Sequence, residues 1–182
     1  TGLNGAAVYA EDTAAGTSLA LVNRGTITGR GGVSSRVATT KIDNSGIIDV
    51  VPKGGAGVFA FGTLADASLA LTNSGTIGGI YGVHSQVTTT TIDNSGTIAG
   101  KYLAGYGIYA DSTATNAFLA LTNSGKITGR FGVYSQVATT TIDNSGFIDG
   151  DNGQGVYAQN TAANRSEERR VGKECRSRWS PY

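Results

Sequence analysis

The sequence predicts an all-β chain wound as a three-sided parallel β-helix, a solenoid of about seven turns. Three observations predict it. The chain repeats with a period of 50 residues that divides into turns of about 25. Each turn carries three short runs in which apolar and polar residues alternate. The second and third runs are separated by Asn-Ser-Gly, a turn signal in which Asn and Gly both tolerate positive φ.

The period is read directly from recurring blocks. Leu69-Ala-Leu-Thr-Asn-Ser-Gly-Thr-Ile77 recurs as Leu119-Ala-Leu-Thr-Asn-Ser-Gly-Lys-Ile127 and as Leu19-Ala-Leu-Val-Asn-Arg-Gly-Thr-Ile27, so the starts at 19, 69 and 119 are 50 apart. Thr91-Ile-Asp-Asn-Ser-Gly96 recurs at 141–146 and, with Lys41 in first place, at 41–46. The half-period appears in an apolar anchor at Val8, Val33, Val58, Val83, Ile108, Val133 and Val156, each 25 after the last except for a final step of 23.

Within one turn the runs are Val83-His-Ser-Gln-Val87, Thr90-Thr-Ile-Asp-Asn94 and Gly96-Thr-Ile98. Alternation over four or five residues reads as half-buried strand, and no run shows helical spacing. A single turn cannot cover its own apolar side, so the turns must stack. Stacking puts Val83, Ile92 and Ile98 inside, on Val58, Leu71 and Ile77 of the preceding turn and under Ile108, Leu121 and Ile127 of the next. Equivalent residues then lie about 4.8 Å apart, and the six turns enclosed by seven anchors make a rod roughly 30 Å long. Asn23, Asn44, Asn73, Asn94, Asn123 and Asn144 fall at one corner and predict an inward ladder of side-chain amides. The leucine-rich-repeat pattern Leu-x-x-Leu-x-Leu-x-x-Asn and the Gly-Gly-x-Gly-x-Asp calcium roll are both absent from the sequence.

Composition fits this reading. Charged residues are 15% and apolar residues 39% of 182, with 28 Gly, 2 Pro and one Cys. A disordered chain has no use for apolar residues at fixed intervals. Of 14 basic and 13 acidic residues, six and three fall in 165–182, leaving eight against ten in 1–164. That mildly acidic body lacks the basic patch that nucleic acid requires. The body has no cysteine, since Cys175 lies in the tail, so no disulfide framework is expected. No stretch is apolar enough for a membrane-spanning helix.

The repeat region is assigned to residues 1–164 and a second, non-repeat region to 165–182. Asn164 is followed by Arg165-Ser-Glu-Glu-Arg-Arg, where the repeat calls for the counterpart of Ala117-Phe-Leu-Ala-Leu121. The break falls inside a turn rather than at a boundary, and the tail resembles translated adapter or vector read-through. It is expected to be non-native and disordered, with Cys175 and Trp179 carrying no function. The chain opens in mid-pattern at Thr1 and is expected to be a piece of something larger.

Candidate functional residues follow from the predicted alternation. The residue after each anchor points outward: Tyr9, Ser34, Phe59, His84, Tyr109, Tyr134 and Tyr157. Exposed rings in a row suit a contact surface for sugars or partner strands, and they also suit a cross-strand ladder that only stabilises the sheet. Two insertions, Pro52-Lys-Gly-Gly-Ala56 and Lys101-Tyr-Leu-Ala-Gly-Tyr106, are expected to project as loops from one corner, with Tyr102 and Tyr106 as contact residues. Asp43, Asp93 and Asp143 repeat every 50 residues in one setting. Acid–base catalysis needs carboxylates in unlike environments, so these are read as scaffold. Threonine arrays such as Thr88-Thr-Thr-Thr91 are interrupted on alternate turns by Leu-Ala-Leu, which spoils an ice-binding lattice. His84 stands without a second His or a Cys, so no metal, cofactor or catalytic residue is expected.

Gly107-Ile-Tyr-Ala110 and Gly155-Val-Tyr-Ala158, joined to Leu-Thr-Asn-Ser-Gly-x-Ile, resemble the passenger region of bacterial autotransporters of the pertactin kind. The resemblance covers residues 1 to about 164. It implies a right-handed helix, export through a C-terminal outer-membrane β-barrel, and a place on the bacterial cell surface or in the secreted fraction. It further implies adhesion or self-association, with host surface or matrix ligands or sister molecules as partners. Gly-Asp-Ser-Gly, expected of the protease subgroup, is absent from the sequence. A polysaccharide-cleaving or carbohydrate-binding β-helix is the alternative function.

Overall fold

A computed structural model describes residues 5–51, 54–62, 64–102, 104–151 and 153–159. These residues form nineteen strands and no helix. Each turn contributes one strand to each of three parallel sheets. The first sheet holds seven: β1 (Ala6–Glu11), β4 (Gly31–Arg36), β7 (Ala56–Phe61), β10 (Tyr81–Gln86), β13 (Tyr106–Ala110), β16 (Phe131–Ser135) and β19 (Val156–Ala158). The second holds β2 (Ser18–Asn23), β5 (Thr39–Asn44), β8 (Ser68–Asn73), β11 (Thr89–Asn94), β14 (Phe118–Asn123) and β17 (Thr139–Asn144). The third holds β3 (Thr26–Gly29), β6 (Ile47–Val50), β9 (Thr76–Gly79), β12 (Thr97–Gly100), β15 (Lys126–Gly129) and β18 (Phe147–Gly150). The result is a three-sided parallel solenoid of six complete turns, with β19 opening a seventh. The basic tail at 165–182, with Cys175 and Trp179, lies outside the described residues, as do Pro52 and Lys53.

The register follows the repeat: the first sheet steps by 25 residues, and the other two alternate steps of 21 and 29 that sum to the period of 50. Val83 pairs with Val58 and Ile108, Ile92 with Leu71 and Leu121, and Ile98 with Ile77 and Ile127. All nine are buried and form one continuous core column. In β11 the alternation is complete: Thr90, Ile92 and Asn94 point in, while Thr89, Thr91 and Asp93 face solvent. Burying the apolar side of such a strand stabilises by roughly 1.5–3 kcal/mol for each Ile or Leu.

The asparagines run up one inner corner. Each Nδ2 donates to the Oδ1 of the next asparagine at 2.7 Å, from Asn23 through Asn44, Asn73, Asn94 and Asn123 to Asn144. Each also donates to the carbonyl of the glycine two residues on, as Asn94 does to Gly96 at 3.2 Å. The amide therefore satisfies the turn beneath it as well as the rung beside it.

The glycine of Asn-Ser-Gly has a different reason from the one the sequence suggests. Positive φ among the described residues occurs at Gly16 and Tyr102, not at these turns. A Cβ on Gly96 would instead sit 2.2 Å from the Gly75 carbonyl oxygen of the preceding rung. The constraint is backbone-to-backbone approach between stacked turns, not left-handed geometry.

A second polar pair lies in the interior on alternate turns. The Ser85 and Thr90 hydroxyls meet at 2.6 Å, and Ser35–Thr40 and Ser135–Thr140 repeat the contact. On the intervening turns the same places are held by Ala60 with Leu69 and Ala110 with Leu119. The 50-residue period thus records two ways of filling one cross-section.

Replacing Asn94 by Ala removes one acceptor of the Asn73 amide and the ladder donor to Asn123 Oδ1. It is expected to cost about 1–3 kcal/mol, read as a fall in Tm of roughly 2–4 °C per kcal/mol. Asp93→Ala, one residue away but facing solvent, should stay within about 0.5 kcal/mol of the parent. Thermal unfolding of the two variants side by side checks both.

Candidate functional site

The outer face of the first sheet carries most of the aromatic residues described. In each of its central strands two consecutive residues turn inward, as Gly82 and Val83 do in β10. Alternation is therefore broken, and Tyr81 and His84, three apart, both reach the outside. The inward glycine has no room for a side chain: a Cβ on Gly82 would lie 2.6 Å from both the Gly107 oxygen and the Ile98 Cγ2. The third sheet's isoleucines fill that space.

Two ranks of rings result. One is the expected stripe, with ring centroids 4.9 Å apart for Phe59–His84 and His84–Tyr109, 5.3 Å for Tyr109–Tyr134 and 4.8 Å for Tyr134–Tyr157. The other consists of Tyr81, Tyr106 and Phe131, stacked at 5.5 and 5.4 Å. The ranks interlock, with Tyr81 on His84 at 4.9 Å, Tyr106 on Tyr109 at 5.2 Å and Phe131 on Tyr134 at 5.4 Å. Contacts of this kind add about 0.5–1.5 kcal/mol each beyond area burial.

Tyr106 is thereby corrected. It is not a loop residue but the first residue of β13, paired with Tyr81 and Phe131 across the sheet. The reason is the inward Gly107, which lets position 106 share the outer face with Tyr109. Tyr102 does sit in the 101–105 corner, with φ of 71° and an exposed ring. Lys101 beside it reaches back over a turn to pair with Asp49 of β6. Tyr9 is half-exposed at the first rung, cut off from Phe59 by Ser34. Its hydroxyl donates to Glu11, which in turn pairs with Arg36 at 3.2 Å.

The second rank carried a signal that the anchors hid. Tyr81-Gly-Val83, Tyr106-Gly-Ile108 and Phe131-Gly-Val133 recur 25 residues apart, each ring two places before its anchor. Strict alternation would put a residue two places before an inward anchor on the inside as well; these rings reach the outer face because the intervening glycine also turns inward.

A carboxylate, Asp111, is half-buried beside the rings. Its Oδ1 accepts from His84 Nε2 and its Oδ2 from Gln86 Nε2, both at 3.0 Å. Burial raises the carboxyl, but the His84 and Gln86 hydrogen bonds and the His84 charge outweigh it and hold the pKa below its ordinary value. Burial in the patch, with the Asp111 charge added, pushes the Tyr109 phenol up to about 12. Tyr134 is raised by burial first and by neighbouring phenols second.

Searches against protein-family models, curated proteins and solved structures found no match.

The remaining candidates are spread over other faces. Asp43, Asp93 and Asp143 stand exposed on the outer face of the second sheet, each level with Thr72, Thr122 or Val22 on adjacent rungs. Among the described residues no three His, Cys, Asp or Glu side chains are grouped to hold a metal ion. No helix of the described residues is long and apolar enough to cross a membrane. Before the ring ranks begin, the first sheet's outer face is lined by Ala6, Gly31, Ser34 and Ala56. A depression of about 370 Å³ opens there, walled by Phe59, Tyr81 and His84 and bordered by Arg30.

The lowered Asp111 pKa has a definite sign. A carboxyl whose folded pKa lies below its unfolded value of about 3.9 stabilises the fold above that value and loses the contribution as pH falls through the folded pKa. The stability gap between the parent and Asp111→Asn should be full at neutral pH and close on acidification below about pH 4. Denaturant unfolding at a series of pH values reads it. A gap independent of pH would remove the carboxylate from the account.

Proposed function

We propose that this chain is the rod-like repeat of a bacterial surface-displayed or secreted protein, and that it acts in adhesion or self-association through the outer face of the first sheet. The observation that carries the reading is the run of interlocked rings from Phe59 to Tyr157 on one flat side. Five rungs at about 4.8 Å give a strip roughly 20 Å long, and aromatic residues are the side chains most enriched where proteins hold partners. The resemblance to autotransporter passengers, carried by Gly-Ile-Tyr-Ala and Leu-Thr-Asn-Ser-Gly, supports export to the cell surface through a barrel. Host surface or matrix ligands and sister molecules are the partners proposed.

A glycan-cleaving reading finds less support. Its candidate carboxylates, Asp43, Asp93 and Asp143, occupy three equivalent exposed settings with threonine or valine level with each. Nothing in that arrangement would separate an acid from a base. The proposal therefore leaves the aspartates to the scaffold and gives the contact role to the rings.

Display of the repeat on a bacterium devoid of its own adhesins should make cells clump or hold them on matrix-coated plates. Tyr109→Ser with Tyr134→Ser should reduce the effect several-fold while surface expression is unchanged. Displayed protein that confers neither clumping nor retention would contradict the proposal.

A further inference from the structure

The second and sixth turns are close in sequence, and two of their differences fall side by side on the outer face of the first sheet. From Ile27 to Ser35 and from Ile127 to Ser135 the chain is identical except at two positions. Gly31 stands where the later turn has Phe131, and Ser34 where it has Tyr134. In the sixth turn those two rings pack on each other at 5.4 Å, Phe131 stacks on Tyr106 at 5.4 Å, and the Arg130 guanidinium lies 5.7 Å from the Phe131 centroid. In the second turn the same arginine, Arg30, borders a depression of about 370 Å³ floored by Gly31, Ser34, Ala6 and Ala56.

The missing side chain at position 31 is not forced by packing. A Cβ on Gly31 would meet its nearest neighbour, Ala6 Cα, at 3.5 Å, an ordinary contact, whereas one on the adjacent Gly32 would lie 2.3 Å from the Gly57 oxygen. The backbone at 31 can carry a ring, and no described residue fills the place of that ring. The column Phe131–Tyr106–Tyr81 ends above it, with the small Ala56 on the rung between Tyr81 and Gly31: the rings touching Tyr81 belong to His84, Tyr106 and Tyr109. Arg30 is exposed and takes part in none of the ion pairs among the described residues.

We infer that this depression is a binding site for an aromatic side chain, tyrosine or phenylalanine, projecting from a partner protein. The partner's ring takes the place that Phe131 fills in the sixth turn, with its face toward the aromatic column and Arg30 beside it as Arg130 is beside Phe131. The lining of alanine, glycine and phenyl groups suits an apolar ring, and the arginine adds a cation–π contact. The depression is open rather than enclosed. A free small molecule there would leave much of its surface in water, while specific small-ligand sites bury most of theirs. A side chain anchored to a larger surface brings the rest of its contact area with it. The inference rests on the proposed contact role of this face and names what that face receives at its N-terminal end.

The test uses the full 182-residue chain and a blocked Gly-Tyr-Gly peptide, with Gly-Ala-Gly, methyl glucoside and methyl glucuronide beside it. Methyl resonances of Ala6 and Ala56 report occupancy by ring-current shifts. The tyrosine peptide should give saturable shifts in the millimolar range and the alanine peptide none. Gly31→Phe with Ser34→Tyr, which rebuilds the sixth-turn sequence, should abolish the shifts while keeping Tm at or above the parent's. Arg30→Gln, an exposed change that leaves the sheet packing alone, should weaken binding several-fold. Absence of shifts with the tyrosine peptide overturns the inference. So does equal binding by the filled variant, or binding of a glycoside in place of the peptide. If displayed protein still clumps cells when the peptide fails, the occupant is wrong and the contact face stands.

Discussion

Everything in this molecule depends on one constraint: successive parallel strands must stack with equivalent residues level. A parallel ladder fixes equivalent atoms about 4.8 Å apart. That spacing is short enough for amides to bond along the stack and for rings to meet their counterparts one rung away. The asparagine corner, the isoleucine column and the aromatic ranks are three results of the same register. A slip of one residue would turn every inward side chain outward, so the buried asparagines and the Gly96 approach to Gly75 act together as a lock on the register.

The two flavours of turn extend this constraint. Ser85 with Thr90 and Ala60 with Leu69 are different fillings of one interior volume, and they come with different corners. Between the first and second sheets the corner is short after β4 and β10 and longer after β1, β7 and β13. Between the third and first sheets the longer corners precede β7, β13 and β19. Both sets flank alternate strands of the same sheet, the one whose outer face carries the rings. The scaffold thus concentrates its irregular chain beside its aromatic surface, leaving the second sheet's outer face mostly to Thr, Ser, Ala and Asp.

Much of this was legible in the sequence, because a solenoid writes each structural position several times. The turn length, the three strands, the inward partners of Val83, Ile92 and Ile98 and the position of the asparagines all follow from recurrence. What escaped was the break in alternation. Period-2 logic assigns Tyr106 to a loop and overlooks Tyr81 and Phe131, because it cannot see that Gly82, Gly107 and Gly132 turn inward beside their anchors. That inward turn is set by isoleucines of another sheet, 16 or 20 residues away in sequence, such as Ile98 against Gly82 and Ile127 against Gly107. The reason for the glycine in Asn-Ser-Gly was also out of reach: it lies in the neighbouring turn, not in the local dihedrals. The pairing of His84 with Asp111 depends in the same way on which side chains stand level once the turns are stacked.

The register itself is the claim to test first. With Cys175 replaced by Ser, cysteines placed at Thr91 and Ala120, which are level on adjacent strands, should cross-link readily under mild oxidation. Cysteines at Thr91 and Thr122, two residues out of step, should not, since the extra separation exceeds the reach of a disulfide. Efficient bonding of the first pair and none of the second is the result expected. Equal bonding of both pairs, or bonding of the second alone, would contradict a fixed register and with it the ladders and the aromatic face built on it.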